Sequence, residues 1–157
     1  MPNQVKDLMS AATPLTITLA GLASSTTGVG RQSSIVDNTQ SRHQDLLVYV
    51  RLTQGTTPTG NRGAQLYLIR EDGHASPQRS DAAGASDGPL TVLNAQFVGG
   101  LVNRSTPSSG DVLTGEFLVH RPGPKWGIAI VHDTGVALDA SAANHQVRFV
   151  GLNSEVQ

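Results

Sequence analysis

The sequence predicts an all-β fold: an antiparallel two-sheet sandwich of jelly-roll type, with about eight strands. Three observations lead there. Ser and Thr number 14 each beside 17 Gly and 8 Pro, a mixture that favours strands and turns and leaves few good helix formers. Apolar residues recur in short runs, many with a period of two, separated by turn signals. No helical stretch is long enough to carry the chain between parallel strands, so the strands must pair antiparallel. An immunoglobulin-like sandwich is the runner-up, although the Cys, Trp, Cys spacing of antibody domains is missing.

Each element follows in order. In residues 1–14, Val5, Leu8, Met9 and Ala12 fall at helical spacing, with Asn3 as a cap and Pro14 as a stop. That predicts a short N-terminal arm, helical if ordered and marginal alone, which either closes one end of the sandwich or docks on another chain. Residues 15–157 form the single β-sandwich domain. In residues 15–22 the apolar residues alternate with Thr, which reads as a strand. The preceding segment has one Lys offset by one Asp and so lacks the basic run of a secretion signal. Further strands are expected at 31–36, 46–52, 64–69, 90–98, 112–120, 126–132 and 145–152. The run at 46–52 is apolar on both parities: Leu46, Val48, Val50 and Leu52 on one, Leu47 and Tyr49 on the other. One face should meet the core and the other a partner or a loop. Residues 71–89 are polar and rich in small side chains, and predict a long, exposed, mobile loop.

Composition narrows the function. A chain of 157 residues supports one core. The formal charge is −1, and Arg31, Arg42, Arg51, Arg62 and Arg79 are scattered rather than clustered, so nucleic acid is not an expected partner. No stretch is long and apolar enough to suggest a membrane partner. The absence of cysteine excludes disulfides, thiolate catalysis and Cys-based zinc sites.

Several motifs test for chemistry. His132, Asp133, Asp139 and His145 lie close in sequence. On a strand at 126–132, His132 shares a face with Ile128 and Ile130 while Asp133 points to the other. His132 and His145 would supply two nitrogen ligands, one fewer than a catalytic zinc requires, unless Asp139 joins them. Ser141 is merely adjacent in sequence, so a base and nucleophile pair is not implied. Turn-capping or contact roles fit these residues better. Residues 84–88 (GASDG) match the nucleophile-elbow pattern around Ser86, but a loop precedes them and Pro89 leads into a strand, the reverse of what that motif needs. Gly28 and Gly30 read as a turn, and Asn103-Arg104-Ser105 as a chance glycosylation triplet. Aromatics make up only 4% of the chain, too few for a sugar-stacking platform. No cofactor and no catalytic residue is expected.

The stretches GLASSTTGVGRQSSIVDN at 21–38 and RPGPKWGIAIVHDTG at 121–135 resemble the small structural proteins of tailed bacteriophages, in particular the cement or decoration proteins of the head. The resemblance implies a β-sandwich homotrimer on the outer surface of the capsid, bridging copies of the major capsid protein, with no enzymatic activity. A trimer gains its hold from several modest contacts formed at high effective concentration. Val5, Leu8, Met9, Arg31 and Trp126 are the candidate partner-binding residues, the first three as apolar anchors on the arm, while Trp126, which begins a strand, reads as a core or interface plug. A tail or baseplate structural protein, and a β-sandwich module binding glycans or a host surface, are the alternatives.

Overall fold

The computed structural model describes residues 5–156. Among them, eleven strands follow in order: β1 (Val5–Met9), β2 (Thr13–Pro14), β3 (Val29–Gln32), β4 (Val36–Asp37), β5 (Asp45–Thr53), β6 (Gly63–Arg70), β7 (Gly88–Thr91), β8 (Gln96–Val102), β9 (Val112–His120), β10 (Lys125–His132) and β11 (Gln146–Val156). Two single 3₁₀ turns, Ser80–Ala82 and Ala142–Asn144, complete the regular structure.

The strands make two antiparallel sheets. One has the order β1-β11-β5-β9, with β2 also on β11; the other runs β7-β3-β10-β6-β8, with β4 also on β10. The ladders β2·β11, β3·β10, β5·β9 and β6·β8 are nested in sequence. The chain is thus one long hairpin folded near residues 71–95. Wrapping it into two layers adds the ladders β5·β11 and β6·β10. That is a jelly roll, as predicted, and not an immunoglobulin order.

Period-two burial builds the core. Leu46, Val48, Val50 and Leu52 of β5 face Leu66 and Leu68 of β6 and Trp126, Ile128 and Ile130 of β10 across the sandwich, all at most 3% exposed. Trp126 meets Phe149 edge to face at 4.9 Å between ring centres, the arrangement favoured by the ring quadrupoles. At one end Arg70 ties the layers together, its guanidinium donating to Gln96 Oε1 at 2.7 Å and to the His120 carbonyl at 2.8 Å.

The structure corrects four expectations. Residues 5–9 are a strand paired with the same chain's β11, from Val5 opposite Val156 to Met9 opposite Leu152. A lone helix of this length is weak, whereas β11 offers a row of unpaired backbone groups; Asn3, the expected cap, lies outside the described residues. Residues 15–22 are not a strand. Pro14 ends the pairing, and the segment crosses from one layer to the other: Leu15 N donates to Val147 O and Ser34 N to Thr16 O, both at 2.9 Å. Leu15 and Leu19 still enter the core. The run at 31–36 is broken into β3 and β4, and that at 90–98 into β7 and β8. Most of residues 71–89 are exposed; the segment begins with a small bridge between Glu71 and Arg79, and Glu71 receives ion pairs from Arg79 at 2.9 Å and Lys125 at 3.4 Å.

Candidate functional site

The segment 132–145 is held together by its own polar groups. His132 sits at the end of β10 and is 1% exposed. Its Nε2 lies 2.9 Å from the Leu22 carbonyl, which can only accept, so Nε2 carries the proton; Nδ1 accepts from the Thr134 hydroxyl at 3.0 Å. Burial pushes its pKa below the ordinary value, against the pull of the Leu22 hydrogen bond and the Asp133 charge. His145, also buried, donates from Nε2 to the Asp139 carbonyl at 2.8 Å. Asp139 accepts from Ser141 N and Asn144 Nδ2, fixing the turn that leads into the 3₁₀ segment. Asp133 accepts from Gly63 N at 3.0 Å and pairs with Arg62 at 2.9 Å. β10 and β11 belong to opposite sheets, so the two histidines are not neighbours on adjoining strands. Among the described residues no group of three or more His, Asp or Glu is arranged to hold a metal ion.

Ser86 stands on an exposed bend leading directly into β7, with neither a preceding strand nor a following helix. Its neighbourhood is a fastening. Gln32, 2% exposed, donates to the carbonyls of Gly84 and Ser86 at 2.9 and 2.7 Å and accepts from Gly84 N at 3.0 Å. Arg31 pairs with Asp87 at 2.6 Å, and Thr18 donates to the same carboxylate. Burial works to raise the Asp87 pKa, but these hydrogen bonds reverse it and hold the group below the usual carboxylate range. Arg31, expected at a partner contact, therefore clamps the loop onto β3.

The other expected contact residues separate. Trp126 is fully buried. That placement corrects the partner assignment, because a side chain without exposed surface touches only its own core. Val5 is placed by its backbone pairing with Val156. Leu8 and Met9 are 47% and 60% exposed and lie in register with Asn153 and Leu152.

Met9 leads to an apolar seam on the outer face of the sheet β1-β11-β5-β9. Directly paired residues share a face, so Val150 of β11, Leu47 of β5 and Leu118 of β9 form one row across the sheet. Leu152 continues the apolar surface toward Met9, in the row that ends in Asp45 and His120. On the other side lies the row Arg148, Tyr49, Glu116. Leu118 is 47% exposed, while Val150 is buried yet belongs to neither core cluster.

The outer face of the other sheet is covered only in part: Phe97 and Val102 of β8 are 57% and 67% exposed there. There Ile69, Ala129 and Tyr67 meet Ala83, Leu90, Ile35 and Val92 in a second apolar cluster, roofed by the 80–92 segment. The 80–92 segment thus covers part of one outer face, and exposed apolar side chains remain on both. Sequence reasoning reached Leu47 and Tyr49 through the double parity of 46–52, but missed Leu118, Val150 and Leu152, whose shared row depends on strand register. No protein-family model matches the chain, and no curated protein matches it either.

Proposed function

We propose that this chain is a virion structural protein: a homotrimeric cement subunit that sits on the outer surface of a phage capsid and bridges neighbouring major capsid protein subunits. The observation that carries the proposal is the apolar seam on the outer face of the sheet β1-β11-β5-β9, where Met9 and Leu118 are 60% and 47% exposed. A face that exposes an apolar seam flanked by mixed charge has the make-up of a protein contact, with an apolar centre and a polar rim. The sequence resemblance to phage cement proteins names the partner, and the jelly roll supplies a rigid platform for the seam. The polar clusters at 132–145 and 84–88 are engaged in internal hydrogen bonds that fasten loops.

Two measurements test this. Light scattering of the purified chain is expected to give the mass of a trimer, and the chain is expected to sediment with empty heads. Leu118→Asp, which adds a charge to an already exposed position, should abolish sedimentation while leaving the trimer mass unchanged. A monomer that stays in the supernatant would overturn the reading.

A further inference from the structure

A second feature adjoins the seam at Asp45. The turn 38–44 before β5 and the turn 121–124 before β10 enclose a cleft of about 790 Å³, within the size range of small-molecule sites. Its walls are fixed by Asn38, 6% exposed, which donates to the carbonyls of His43 and Gly123, both at 3.0 Å, and accepts from His43 N at 2.9 Å. The cleft is therefore preformed.

Two arginines line it, and both are unusual. Arg42 and Arg121 have φ of 50° and 46°, the left-handed region that a branched-out side chain adopts only at a cost. Such residues cluster where a ligand or a switch requires them. Among the described residues their guanidinium groups have no acidic partner, which they share with Arg51, Arg70 and Arg148. Arg31, Arg62, Arg79 and Arg104 each pair with a carboxylate. Arg42 makes one long bond, from Nε to the Thr39 carbonyl at 3.4 Å. Arg121 bonds only through its backbone N–H, to Gln44 O at 3.0 Å and Asp45 Oδ1 at 3.1 Å. The one carboxylate in the lining, Asp45, is occupied by that N–H and by His120 Nδ1 at 3.3 Å. Asp37, beside the cleft, accepts from the N–H and hydroxyl of Thr39.

We infer that this cleft binds a small dianionic oxyanion, a phosphate ester or a dicarboxylate, gripped by Arg42 and Arg121. Planar guanidinium groups suit oxyanions because they donate in parallel pairs. The inference does not depend on the capsid assignment, since it concerns a small ligand at the end of the sandwich.

The test is calorimetric titration at low ionic strength with inorganic phosphate and, separately, succinate. Binding of phosphate alone assigns the phosphate class, and of succinate alone the dicarboxylate class. Arg42→Gly and Arg121→Gly should each weaken binding by about tenfold or more, a loss of about 1.4 kcal/mol. Without ligand, both variants should melt at the same or a higher temperature, because glycine adopts the left-handed backbone freely; a purely structural role predicts the opposite. Arg42→Gln and Arg121→Gln remove charge without freeing the backbone and should weaken binding equally. Arg148→Gln, on the outer sheet face, should bind as the parent does. No heat with either probe, or unchanged binding in an Arg42→Gln, Arg121→Gln double variant, would overturn the inference.

Discussion

Polar side chains that look chemical in the sequence act here as fasteners, and their removal should read out as stability. His132 gives a pH signature. The unfolded chain takes up a proton at this residue near the ordinary value, and the folded chain only at lower pH. Its contribution is therefore complete above about pH 6.5 and is lost as pH falls from there toward the depressed folded value. Urea unfolding midpoints should decline across that window, and His132→Gln should flatten the decline. A second decline begins at the ordinary carboxylate value, where the unfolded chain protonates, and ends where the lowered Asp87 and Asp133 protonate in the folded chain. Asn38→Ala should cost about 2 kcal/mol or more, since it leaves the His43 N–H and two carbonyls without their partner. Trp126→Ala removes the largest fully buried side chain and should cost about 3–5 kcal/mol in the same assay.

At the scale of elements, close approach between β8 and β9 sets what each strand tolerates. A Cβ on Gly99 would lie 2.4 Å from the Phe117 ring, and one on Gly115 would lie 2.5 Å from Leu101 Cδ2. The two edge strands of the opposing sheets thus close that side of the sandwich by ring against backbone. Gly99→Ala should destabilise by about 1–3 kcal/mol through overcrowding. Combining it with Phe117→Leu should recover part of the loss, a coupling that a double-mutant cycle of unfolding free energies would measure. β1 carries a related lesson. Val5, Leu8 and Met9 show helical spacing, yet the pairing offered by β11 overrides that pattern, because local periodicity is a weaker determinant than an available sheet edge.

For the whole molecule, what covers each apolar surface decides which substitutions it tolerates. The long connection between β6 and β8 folds back over one sheet and supplies Ala83 and Leu90 as its cover. On the opposite sheet Leu118 and Met9 are 47% and 60% exposed. A charge at Leu118 should therefore leave the unfolding midpoint nearly unchanged while abolishing association, whereas a charge at Ile69, buried under the 80–92 segment, should unfold the protein. Comparing urea midpoints and sedimentation for Leu118→Asp and Ile69→Asp checks both halves of the statement. Equal loss of stability in the two variants would contradict it.

Alternation and turn chemistry act within a few residues, which is why the class of fold, most strand positions, the double apolar parity of β5 and the shared face of Ile128 and Ile130 were legible in the sequence. It also predicted that His132 and Asp133 point to opposite faces and that Ser86 lies outside any nucleophile elbow. Tertiary structure alone decided which apolar row is covered and which is open, that Trp126 belongs to the core, and that Arg42 and Arg121 share a cleft. Those outcomes depend on register between strands distant in sequence and on where a long loop comes to rest, and neither is encoded in any local pattern.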